Sequence, residues 1–139
     1  MRKLVFAALM GVSVGAHAGT KPFDGNWVDI FRQQDPNRTE YADYLYDTNS
    51  FLRNGEKISF WEKMILGDAA SSFKVVSISH EILNCETQQH AQIAFISSGP
   101  DGILPTPDRM IEKEPVYKSY PPNSPGAKIV RFICDLGRS

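Results

Sequence analysis

The stretch HEILNCETQQH, residues 80–90, gathers His80, Glu81, Cys85, Glu86 and His90 within eleven residues. Three chemistries are open to such a set. A zinc-protease helix needs a second histidine four residues after the first, so that both reach one ion with the glutamate between them as base. Asn84 stands at that place, and the surrounding pattern is that of a strand. A Cys85–His90 metal pair is no better, because side chains five apart on a strand leave from opposite faces. A thiol nucleophile needs a thiolate beside a histidine base, and Cys134 competes for the same sulfur. The third chemistry is a structural disulfide, and it depends on where the chain resides.

The N-terminus reads as an export signal. Met1-Arg2-Lys3 is followed by an apolar run from Leu4 to Val14 and by Ala16-His17-Ala18, a cleavage site ending at Ala18. The apolar run is shorter than the roughly 20 residues of a membrane span, and no other stretch approaches that length, so no membrane span is expected. No cysteine lies near the cleavage point to carry a lipid. The expectation is a signal peptide over 1–18 and one secreted domain over 19–139, in the periplasm or on a bacterial cell surface. An oxidising compartment and two cysteines leave a single pairing, Cys85–Cys134. It closes a loop of roughly 50 residues, worth about 4 kcal/mol by the chain-entropy argument.

Other candidate chemistry is sparse. Glu40, Asp43 and Asp47 fall near one another, but calcium-loop spacing is missing, and solvated strand ends account for them. His17 leaves with the signal, and neither His80 nor His90 accompanies a G-x-S-x-G serine. NRT at 37–39 fits a glycosylation sequon, which carries little weight in a bacterial protein, and no phosphate-cradling glycine loop is present. Removing Arg2 and Lys3 from the 15 basic residues leaves 13 against 16 acidic ones, a net charge of −3. The basic residues are scattered, with none of the stripes that nucleic acid selects. No catalytic residue, cofactor or metal is expected, nor a nucleic-acid partner.

The elements that position these residues are mostly strands. NWVDIF (26–31) is aromatic and β-branched; RQQDPNRTE forms a polar loop; YADYLYDTNSFL and EKISFWEKMIL flank Asn54-Gly55, a type I′ hairpin signal. In the second arm Ile58, Phe60, Met64 and Leu66 share the inward face with Glu62 as the misfit, while Lys57, Ser59, Trp61 and Lys63 share the other. SFKVVSISHEIL is a third long strand, turning near Asn84. After it, Cys85, Thr87, Ala91, Ile93 and Phe95 alternate onto the apolar face, with polar Gln89 among them and Glu86, Gln88, His90 and Gln92 opposite. Seven of the nine prolines lie between Pro100 and Pro125, where regular structure gives way to an extended excursion. Ser124-Pro125 then opens a helix with Ile129, Val130, Ile133 and Leu136 on one face and Gly137 at its stop. Cys85 and Cys134 both fall on apolar sides, as a clamp between sheet and helix requires.

The order Trp27, YLYDTNSFLRNGEKISFWEKM, SFKVVSISHEILNC, an aliphatic strand ending in Gly-Pro-Asp-Gly, and YPPNSPGAKIVRFIC resembles the surface-adhesin protein E family of Gram-negative bacteria. The resemblance runs from about residue 26 to 136. It implies an α+β, mainly β fold: about six antiparallel strands, with the C-terminal helix held on the concave face by Cys85–Cys134. It further implies an adhesin that binds host extracellular-matrix proteins and dimerises.

The functional expectation is therefore an exported, non-enzymatic protein-binding module, with an adhesin role as the family's implication. The alternative is a periplasmic envelope protein with a housekeeping or inhibitory partner. A candidate surface for recognition is the proline-rich segment 99–124 with Arg109, Met110, Tyr117 and Tyr120, since aromatic residues and arginine favour interfaces; the alternative is a loop that merely covers a sheet edge. Exposed strand edges offer a route to a homodimer.

Overall fold

Among the described residues, period-two alternation and β-branched residues produce seven strands, and a change to helical period produces one helix. The computed structural model describes residues 24–106 and 110–138. The expected signal segment with Ala18, and Arg109, lie outside these described residues. The elements are β1 (Trp27–Gln34), β2 (Glu40–Asp47), a 3-10 turn (Thr48–Ser50), β3 (Leu52–Asn54), β4 (Lys57–Asp68), β5 (Lys74–Asn84), β6 (Gln89–Ser97), β7 (Lys118–Ser119) and α1 (Pro125–Leu136). They form one antiparallel, curled sheet in the order β1-β2-β4-β5-β6-β7, with β3 beside β4. β2 and β3 share one edge of β4: β2 pairs with residues from Glu62 to Asp68 and β3 with residues from Lys57 to Ser59.

The helix forms because Ser124 caps it, accepting from the Ala127 N–H, while Pro125 fills a first-turn position that needs no donor. Its apolar face buries Ile129, Val130, Ile133 and Cys134 against Ile58 and Phe60 of β4, Leu83 of β5, and Cys85. The Cys85–Cys134 disulfide ties the turn after β5 to the helix, with Cα atoms 5.6 Å apart. The fold class expected from the sequence is the one observed.

β5 is buried on both faces. Val76 and Ile78 point away from the helix, while Ser77, Ser79 and Glu81 point towards it, all less than a tenth exposed. Buried Ala91, Ala94 and Ile96 of β6 stand opposite Ile82, His80 and Ile78 and so join the far-side layer.

Four expectations need correction. The hairpin turn is Gly55-Glu56, since Asn54 still pairs with Lys57; only Gly55 has positive φ (62°), as a type II′ turn requires and type I′ does not. Leu66 is not buried but 37% exposed, because the helix lies over the other end of β4. Cys85 and Ala91 do not share a face. The turn of residues 85–88, with Gln88 at φ 57°, resets the alternation, and a bulge near Ile93 shifts it again. Asp47 is not a solvated strand end: it is 1% exposed, accepting from the N–H groups of Asn26 and Asn49.

Candidate binding site

The residues that drew attention in the sequence separate in space. Asp43 forms a two-pronged ion pair with Arg32 at 2.6 and 2.7 Å, Asp47 is a buried cap and Glu40 is exposed. These carboxylates compose no site. His80 and His90 lie on opposite faces of the sheet. Among the described residues, no group of three or more His, Cys, Asp or Glu side chains is placed to hold a metal ion.

On the far face, Ser59 Oγ and His80 Nε2 lie 2.6 Å apart, and His80 Nδ1 is 3.4 Å from Glu112 Oε1. Trp61 stacks on the imidazole at 4.7 Å. The atom order is that of a serine–histidine–carboxylate triad. Acyl transfer also needs free N–H donors near the nucleophile. Ser59 sits in mid-strand between β3 and β5, where backbone donors belong to the ladders, and the Trp61 N–H donates to Ser50 Oγ. The arrangement fits a strand-to-strand hydrogen bond roofed by an indole.

On the helix side, the sheet and the helix N-terminus enclose an open cleft of about 220 Å³. β2 supplies Tyr44, β4 supplies Glu62 and Met64, and β5 supplies Ser77, Ser79 and Glu81. Gln92 and Phe95 come from β6, with Tyr120, Gly126 and Ile129 closing the helix end. Register explains the convergence: Glu62 lies opposite Ser79, and Glu81 lies between Phe60 and Gln92. Glu81 is 3% exposed; its Oε1 accepts from the Gln92 amide at 3.1 Å, and its Oε2 has no hydrogen-bond partner. The nearest candidate, His90 Nδ1, stands at 3.6 Å and is equally unpartnered. Glu62 is half-buried, and burial together with the Glu81 charge pushes its carboxyl up to about 8. Burial, then Glu81, Glu62 and Tyr44, pushes the Tyr120 phenol up; burial and then Glu62 do the same for Tyr44.

A second concavity of about 290 Å³ wraps round the β6 edge between Gln92, Ile93, Ala94, Phe95, Ile111 and Lys113. It shares Gln92 and Phe95 with the carboxylate cleft. The proline-rich segment borders it: the Lys113 N–H donates to the Ile93 carbonyl at 2.7 Å, and Lys118 pairs with His90. Along this edge Phe95, Ile111 and Val116 are 52%, 75% and 67% exposed.

Sequence reasoning placed recognition on segment 99–124, of which Tyr120 turns inward to form a cleft wall. It did not bring the cleft's two carboxylates together, taking Glu81 only as the glutamate of a rejected zinc-protease motif. Glu62 did leave a signal, as the one charged residue in an apolar inward set. Glu81 left a weaker one, in the polar row Ser77, Ser79, Glu81.

The fold defines a curled antiparallel sheet carrying one disulfide-tied C-terminal helix. No protein-family model, curated protein or solved structure matches this chain.

Proposed function

We propose that the chain is an exported, non-enzymatic protein-binding module of the surface-adhesin protein E type, whose partner docks along the β6 edge and the proline-rich segment beside it. The observation that carries this reading is the exposure of Phe95, Ile111 and Val116 along one edge. Apolar side chains clustered beside a shaped groove mark interaction surfaces. Among the described residues, no strand pairs with the outer edge of β6 from Ala94 to Ser97, which leaves backbone groups for an incoming segment. Among those residues, no helix is long and apolar enough to cross a membrane.

Two experiments test the reading. Protease shaving of intact cells, with a periplasmic control, reports location: digestion supports the adhesin role, and protection until the outer membrane opens removes it. Binding of the exported protein to a panel of host extracellular-matrix proteins is then compared with the Ile111→Asp/Val116→Asp variant. The expected result is binding that the variant weakens at least about ten-fold with its circular dichroism unchanged. Equal binding by both proteins sinks the proposed surface.

A further inference from the structure

We propose that the cleft between the start of α1 and strands β4–β6 receives an organic cation, the ammonium or guanidinium head of a partner's lysine or arginine side chain, with Glu62 and Glu81 as counter-ions. The partner polypeptide as source of the cation rests on the function proposed above; the site itself does not.

The first support is an unmet charge. Glu81 is 3% exposed with Oε2 unpartnered. Among the described residues, no lysine or arginine pairs with Glu81 or Glu62, and the one ionic contact of Glu81 is His90 Nδ1, 3.6 Å from Oε2 and too far for a hydrogen bond. A buried carboxylate without a compensating charge is unfavourable, and a second one beside it more so. The sheet nevertheless places both at one cleft, where a cation relieves the two together.

The second support is the shape and lining. A volume of about 220 Å³ holds an ammonium head and several methylenes. Its walls include Tyr44, Phe95 and Tyr120; His90 and Gly126 cover the Tyr120 ring on both sides, and Phe31 stacks on Tyr44, so Phe95 is the ring best placed to attract a cation through its face. Among the described residues no group of three or more His, Cys, Asp or Glu side chains is placed to hold a metal ion, whereas a carboxylate pair beside an aromatic wall suits an alkyl stem ending in a charge. Gln92 and Phe95 lie in both the cleft and the β6 groove, so a chain docked along that edge can place a long basic side chain over Phe95 into the carboxylates.

Charge around Glu62 sets the pH dependence. β2 presents Tyr44, β5 presents Glu81, and Tyr120 faces both glutamates from the segment before the helix. His90 of β6 reaches Glu81, Lys113 lies in the adjoining groove, and Lys128 of α1 lies over the Phe31 ring. With its carboxyl pushed up to about 8, Glu62 holds a proton at neutral pH, and a bound cation expels it. Binding therefore tightens by up to about ten-fold per pH unit as pH rises towards 8, then levels.

The test titrates the exported protein, carbon-13-labelled at glutamate carboxyls, with Nα-acetyl-lysine methylamide, its arginine counterpart and the norleucine analogue. Saturable shifts at Glu62 and Glu81 are expected for the two cations alone, with the Glu62 midpoint moving to lower pH at saturation. Glu62→Gln, which keeps shape and removes the charge without unfolding the cleft, should weaken binding about ten-fold or more. Equal shifts with norleucine, or unchanged binding by Glu62→Gln, overturn the site. Tighter binding of free cadaverine than of the lysine amide overturns the polypeptide source. Matrix binding that depends on Ile111 and Val116 while the lysine probe fails removes this inference alone. A probe that binds when those variants change nothing removes only the docking surface.

Discussion

His90 lies flat against Tyr120, with ring centroids 3.6 Å apart and planes 8° from parallel. Gly126 backs that tyrosine so closely that a Cβ there would stand 2.3 Å from its ring. Gly126→Ala gains about 1 kcal/mol of helix propensity, yet must displace the ring at an overpacking cost of about 1–3 kcal/mol. The expected net result is a lower urea midpoint and loss of the ring-current shift on the His90 imidazole. A variant more stable than the parent, with that shift intact, contradicts the packing described.

Cys85 and Cys134 are 5% and 1% exposed and bonded to each other. Cys85→Ser/Cys134→Ser should lose about 4 kcal/mol of unfolding free energy, read from urea curves. Thiol titration of the unfolded parent should find no free sulfhydryl until a reductant is added.

Glu62 links stability to pH. Its carboxyl is held at about 8 in the folded chain against 4.5 for the free side chain, so the folded state binds a proton that the unfolded state has released. The associated stability is complete below about pH 4.5 and is lost as pH rises through about 8. Its slope in between is about 1 kcal/mol per pH unit. Urea midpoints of parent and Glu62→Gln, measured from pH 4 to 9, should diverge across that window, the parent falling relative to the variant. Parallel curves mean that the carboxyl is not held protonated.

Ser59, hydrogen-bonded to His80 at 2.6 Å, should stay unlabelled by a fluorophosphonate probe, because it lies in mid-strand where the backbone donors serve the β3 and β5 ladders and the Trp61 N–H serves Ser50. Mass spectrometry of the probed protein checks this. Stoichiometric labelling of Ser59 abolished by His80→Ala would turn the far face into a hydrolase site and remove the non-enzymatic reading.

Much of the architecture was legible from local rules. Strand alternation in the first half of β4 named Ile58 and Phe60 as core, and Ser124-Pro125 with Ile129, Val130 and Ile133 named the helix and its buried face. Asn84 marked the end of β5, where its side chain accepts from the N–H groups of Glu86 and Thr87. Gly137 closed the helix as expected, though for another reason. Its φ is −69°, so no left-handed cap is involved; it must be small because a Cβ would stand 2.9 Å from Ile58 Cδ1.

What the sequence determined by itself are properties set within a few residues: periods, caps, turns, and the pairing of the only two cysteines. What the tertiary structure decided is which distant side chains meet. Leu66 has the right period but no helix above it; Asp47 looks like a strand end but anchors two backbone N–H groups. Glu62 and Glu81 stand nineteen residues apart in the chain and reach one cleft because β4 and β5 pair in the register Glu62↔Ser79. Tyr120 joins them from a proline-rich segment with no periodicity to read, held by Gly126 behind and His90 in front. Register and loop path depend on the packing of the whole sheet, and no window of neighbouring residues contains that information.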